Sequence, residues 1–218
     1  NINMELNSFD KIYVINLDQS TDRLKCFDDT HIRWRATPRD EVDEITDKKM
    51  ISYSSSPRDY HLSKCGCLLS HLNLLKHIVK NKLNNIIILE DDAEKISEVV
   101  INKLPTDGLT YLGGFFHNIK MTSKEKIINN SSDGINKLDK NKMRMLMCLS
   151  YYIPKWEIAD IIVNHLEKLN RYRAIDILLF NIDIPTYYNY PANYIEKDII
   201  STIRNKKTKH STKYYQWK

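Results

Sequence analysis

The chain has 218 residues, 42% of them hydrophobic and 28% charged, with a formal net charge of +5. No apolar run approaches membrane-spanning length and the start does not resemble a signal peptide, so the expected chain has no transmembrane segment and is soluble and cytoplasmic. From Ile199 onward Arg204, Lys206, Lys207, Lys209, Lys213 and Lys218 meet no acid, so the remainder is nearly neutral, which argues against a broad nucleic-acid surface.

The expected organisation is a single domain over residues 1–204 and a solvated basic tail over 205–218. Cys26, Cys65, Cys67 and Cys148 read as reduced and mostly buried. Cys65 and Cys67 are too closely spaced for a zinc knuckle.

Lys11 to Asp18 reads as the first strand, with a nearly continuous apolar run suited to a central parallel position. Asn16 and Asp18 lie where strand gives way to helix, with Asp22 and Arg23 just beyond. That is a common nucleotide-contact geometry, although turn formation and capping explain the same residues. Residues 28–60 read as a long polar loop with a short strand near Ile32–Arg35. Leu68, Leu72, Leu75 and Val79 then form one apolar stripe of a helix. Ser70 and His71 sit at its start, where a lone histidine is more often a structural hydrogen-bond partner than a catalyst.

The stretch Ile86-Ile87-Ile88-Leu89-Glu90-Asp91-Asp92-Ala93 organises the chain. Its apolar half predicts a strand buried on both faces, and its three carboxylates fall at the carboxyl edge of a sheet. Adjacent carboxylates repel and resist burial unless a cation neutralises them, so a Mg²⁺ or Mn²⁺ site holding a phosphorylated substrate is one reading. The other is an acidic turn capping a following helix over Ile96 to Leu104.

Leu109 to Phe116 predicts a strand ending in a Gly113-Gly114 turn that admits a ligand to the backbone. Residues 117–142 read as an irregular excursion with the character of a lid. Met143 to Ile153 predicts a strand, and Trp156 to Leu169 a second amphipathic helix. Asp176 is a lone acid among apolar neighbours, either an N-cap or a buried acid in a site. The tyrosines 187, 188, 190 and 194 suit sugar or base stacking and equally suit core packing.

Together these segments resemble glycosyltransferase family 25. The matching blocks are Ile12-Tyr13-Val14-Ile15-Asn16-Leu17 with Asp22-Arg23, then Gly66-Cys67-Leu68-Leu69-Ser70-His71, then Ile88-Leu89-Glu90-Asp91-Asp92-Ala93. Weaker matches are Tyr111-Leu112-Gly113, Ser150-Tyr151-Tyr152-Ile153 and Ala174-Ile175-Asp176. The resemblance implies an α/β fold of GT-A type, a Rossmann-like α/β/α sandwich with a mostly parallel central sheet. It also implies a UDP-sugar donor, galactose or glucose, a Mn²⁺ or Mg²⁺ cofactor, inversion, and a glycan or glycoprotein acceptor. On that basis Asp92 and Glu90 are the expected metal ligands. Asn16, Leu17, Arg23, Glu90 and Asp91 are the expected donor contacts, and Asp176 is the expected catalytic base. The alternative function is a catalytically inactive sugar- or nucleotide-binding protein of the same fold. A phosphohydrolase would need a nucleophilic aspartate or another metal cluster, and neither is evident in the sequence.

Overall fold

The computed structural model describes residues 9–51, 56–118 and 132–196, with strands at 200–201, 206–207 and 214–216. The first half runs β1 (Lys11–Asn16), a 3-10 segment (Asp18–Cys26), β2 (His31–Arg35), α1 (Glu44–Lys49), α2 (Arg58–Lys80), β3 (Ile86–Glu90), β4 (Ala93–Lys95) and β5 (Leu109–Asn118). The second half runs β6 (Gly134–Lys137), β7 (Met143–Ile153), α3 (Trp156–Lys168), α4 (Ile175–Asn181), β8 (Thr186–Tyr190) and β9 (Tyr194–Glu196). Three short strands follow: β10 (Ile200–Ser201), β11 (Lys206–Lys207) and β12 (Tyr214–Gln216).

The main sheet has the order β2-β1-β3-β7-β5-β8-β6. β2, β1, β3, β5 and β8 run in one direction, and β7 enters antiparallel between β3 and β5. This is the α/β, Rossmann-like arrangement with a mostly parallel centre. β3 holds the middle because Ile86, Ile87, Ile88 and Leu89 are all fully buried, as a strand covered on both faces requires.

Alternation along the strands divides the apolar residues into two cores. Tyr13, Ile15, Ile86, Ile88, Tyr151 and Ile153 pack with buried residues of α2, α3 and α4. Val14, Ile87, Leu89 and Tyr152 point the other way, where Leu24, Leu104 and Tyr194 cover them. In α2 the predicted stripe lies inward: Leu68, Leu72 and Leu75 are buried and Val79 packs at the margin. Each such leucine contributes roughly 1.5–3 kcal/mol of transfer free energy.

Several segments differ from the reading of the sequence. The span 28–60 is not mostly loop. It carries α1, capped by Asp43, whose carboxylate accepts from Thr46 N at 2.8 Å. No helix spans 96–104: Asp91-Asp92 turns directly into β4, and only Ile101–Lys103 is helical, as a 3-10 turn. Tertiary bonds decide this, since Ile96 N and Ser97 N both donate to Asn193 O, and β-branched Ile96, Val99 and Val100 add little helix propensity.

The glycines do not end β5 either. A Cβ on Gly113 would lie 2.4 Å from Tyr194 O and 2.6 Å from Ser150 Oγ, so the residue admits β9 and β7, not a ligand. Residues 119–131 of the excursion lie outside the described residues, whereas its end forms β6 on β8. The carboxyl-terminal stretch, read as a solvated tail, contributes β12, which pairs with β5. Among the described residues no helix is long and apolar enough to cross a membrane.

Candidate functional site

The site forms where β1 and β3 end side by side. Glu90 closes β3, residues 91 and 92 turn, and Ala93 opens β4. No helix follows for the acids to cap, so their clustering needs another account.

Asp91 is accounted for inside the protein. Its Oδ2 accepts from Asn16 Nδ2 at 2.7 Å, and its Oδ1 accepts from Arg23 Nη1 at 2.9 Å. Asn16 is buried; its amide also donates to Ser20 O, and its Oδ1 accepts from Arg33 Nε at 3.1 Å. The polar atoms of Asn16 are therefore engaged in clamping the ends of β1 and β3 together. Leu17 packs against the larger core, and its carbonyl accepts from Ser20 N.

Glu90 and Asp92 are in the opposite situation. Burial and the neighbouring Asp91 and Asp176 charges push Glu90 up to about 8. Burial, Glu90 and Asp91 push Asp92 up to about 8, against a smaller opposing pull from Arg23. Glu90 is enclosed by protein yet keeps 27% of its side chain in contact with solvent, the combination a ligand cleft requires. Asp92 Oδ1 is buried and meets no hydrogen-bond donor among the described residues.

Two more carboxylates converge from distant parts of the chain. Asp176, in the first turn of α4, and Glu196, at the end of β9, both act electrostatically on Glu90. Asp176 Oδ1 also accepts from Ile177 N at 2.8 Å.

The block Gly66 to His71 supplies the wall. A Cβ on Gly66 would lie 2.5 Å from Thr37 O, so only glycine lets α2 approach the segment after β2 this closely. Ser70 locks the same contact: Oγ accepts from Thr37 N at 2.8 Å and donates to Gly66 O at 2.6 Å. That packing turns Cys67 and His71 toward the acids. His71 Nδ1 lies 2.9 Å from Tyr151 Oη, and Nε2 lies 3.3 Å from Glu90 Oε1. Burial lowers His71 to about 4, so its imidazole is neutral at pH 7. Burial and the surrounding carboxylates raise the Cys67 thiol well above its usual range, which rules it out as a ready nucleophile.

An oxygen-rich cluster in which two carboxyls are held near 8 and one oxygen has no donor suits a hard divalent cation, which satisfies oxygen and cancels repulsion at once. Asp92 and Glu90 are the residues that fit that role. Of the residues singled out from sequence, Glu90, Asp92 and Asp176 come together, all three acting electrostatically on Cys67. Asn16, Arg23 and Asp91 form the clamp behind it, and Leu17 is packing. Cys67, His71, Tyr151 and Glu196 join the site unforeseen. The i, i+4 spacing of Cys67 and His71 on one helix face was a usable signal for the first two; nothing local marked Glu196.

A sequence-family model described as glycosyltransferase family 25 (LPS biosynthesis protein) matches residues 9–179. No curated protein matches the chain.

Proposed function

The chain belongs to glycosyltransferase family 25, and we propose that it moves galactose or glucose from a UDP-sugar to a hydroxyl of a glycan or glycoprotein acceptor, with inversion. The observation that carries this reading is the pair Glu90 and Asp92, raised to about 8 at the carboxyl edge of the sheet. This is the edge where α/β folds take phosphorylated ligands. Asp92 and Glu90 would hold Mn²⁺ or Mg²⁺, which when bound stabilises the charge growing on the departing diphosphate.

The chain's own residues then divide the remaining work. The Asn16–Asp91–Arg23 clamp fixes the turn, so Glu90 and Asp92 meet the donor without reorganising. On this side Arg23, whose Nη1 is held by Asp91, is the residue able to face a phosphate. Asp176 takes the proton from the acceptor hydroxyl as that oxygen attacks the anomeric carbon. His71 stays neutral and holds Glu90 in place, with Tyr151 on its other nitrogen.

The test is a thermal-shift screen of UDP-galactose, UDP-glucose and UDP-N-acetylglucosamine with Mn²⁺, followed by UDP release in the presence of glycan acceptors. Binding only the folded state raises the melting temperature. Stabilisation by UDP-galactose or UDP-glucose with acceptor-dependent UDP release is expected. Stabilisation without transfer to any acceptor would make the protein a binding module, and no response to any UDP-sugar would refute the donor class.

A further inference from the structure

We propose that Cys67, His71 and Glu90 form a second cation site, selective for a thiophilic divalent ion of the Zn²⁺ class, which shares the Glu90 carboxylate with the oxygen-only position at Asp92. The three ligand atoms lie within 4.8 Å of one another. Around tetrahedral Zn²⁺, bond lengths of about 2.0–2.3 Å place nitrogen and oxygen ligands about 3.3 Å apart, and sulfur and oxygen about 3.5 Å apart. Here His71 Nε2 is 3.3 Å from Glu90 Oε1, and Cys67 Sγ is 3.9 Å from the same oxygen. The nitrogen–oxygen pair is already at its bonding separation, and the sulfur has roughly 0.4 Å to close.

The supports are in place as well. Cys67 and His71 are one turn apart on α2, whose backbone is pinned by the Ser70 bonds to Gly66 and Thr37. Tyr151 Oη, 2.9 Å from His71 Nδ1, accepts the Nδ1 proton when Nε2 carries the lone pair, the outer partner a metal-bound histidine requires. Binding takes the Cys67 proton to solvent and forms the sulfur–metal bond from the resulting thiolate; no electron is exchanged. Asp92 and Asp176, both acting on Cys67, add attraction for an arriving cation.

A superficially similar group, Asp47, His61 and Cys65, lacks these properties. Asp47 already accepts from Arg58 Nη1 at 2.6 Å and from His61, so a cation there would face a guanidinium.

Cobalt is the probe. The full chain, stripped with EDTA, is titrated with Co²⁺ and followed by its thiolate-to-metal charge-transfer absorption. One equivalent should develop the band, and Zn²⁺ should bleach it. Cys67→Ser should abolish the band, Glu90→Gln should weaken Co²⁺ binding by about tenfold or more, and Cys65→Ser should leave it intact. Asp92→Asn should also leave it intact, which separates this site from the donor's cation. Melting curves in EDTA establish that each variant folds. If Cys67→Ser does not fold, Zn²⁺ protection against alkylation in the native chain replaces it, and protection must fall on Cys67. Absence of the band, its survival in Cys67→Ser, or protection confined to Cys65 would overturn the proposal.

Discussion

Asp91 and its two neighbours share one turn and one chemistry, yet they meet opposite surroundings. Asp91 faces Asn16 and Arg23 and is fully used inside the protein. Glu90 meets Asp176 and Glu196, Asp92 meets Glu90, and burial with these charges raises both to about 8. Adjacent carboxylates can thus be divided between one that the fold satisfies and two that it leaves unneutralised. What divides them is the partner each meets across space, not the order of acids along the chain.

The largest expected effect is on the ligand side. Asp176→Asn keeps the shape of the side chain and removes its basic oxygen, so transfer should slow by roughly 10²-fold or more, with the UDP dissociation constant in Mn²⁺ unchanged. Near-normal turnover would leave Asp176 as a residue of the helix start. A loss of UDP-sugar affinity with UDP affinity retained would make it a sugar contact.

On the fold side, Asp91→Ala removes the acceptor of both Asn16 and Arg23. Breaking one partner of such a buried pair costs about 3 kcal/mol or more, visible as an earlier denaturant midpoint at constant slope. A loss below about 1 kcal/mol would put Asp91 with exposed ion pairs and remove its role as a clamp.

The comparison also has a pH signature. A carboxyl with a folded pKa of about 8 binds more protons when native than when unfolded, so stability falls as pH rises from its unfolded value through 8. His71, lowered to about 4, works in the other direction, its stability contribution being lost as pH falls from about 6.5 to 4. Between about 6.5 and 8 the two acids act without that opposition. The metal-free melting temperature should therefore decline across this window, and Glu90→Gln should flatten the decline. A rise over the same range would mean that Glu90 and Asp92 are not destabilised by their surroundings.

The smallest effect sharpens the same contrast from the surface. Glu41 holds Arg35 through bonds of 2.5 and 2.8 Å, but both side chains are about half exposed. Glu41→Gln should barely move the denaturant midpoint, against a loss of about 3 kcal/mol for the enclosed pair.

How far the sequence revealed this arrangement followed the range of the interactions. Continuous apolar runs marked β1, β3 and β7, and the leucine stripe marked α2, because strand and helix periods are local. The Ile96–Leu104 stretch misled because its first two amides, Ile96 N and Ser97 N, donate to Asn193, nearly a hundred residues away. The same holds at the site. Glu90 and Asp92 were visible as a run of acids at a strand end, and Asp176 as a lone acid in an apolar stretch. The consumption of Asp91 by Arg23 depends on contacts 68 residues apart. Cys67 and His71 reach Glu90 only because Gly66 and Ser70 bring α2 against Thr37. No local pattern encodes Glu196, which arrives through the pairing of β9 with β4.

The central claim is that Asp92, with Glu90, holds the cation through which the donor diphosphate binds. Calorimetric titration of UDP into the native chain and into Asp92→Asn, each with Mn²⁺ and with EDTA, tests it most directly. The native chain should bind UDP more tightly with Mn²⁺ than with EDTA, and Asp92→Asn should bind it equally weakly in both. Equal UDP affinity of the native chain in Mn²⁺ and EDTA, or a metal effect that survives in Asp92→Asn, would contradict it.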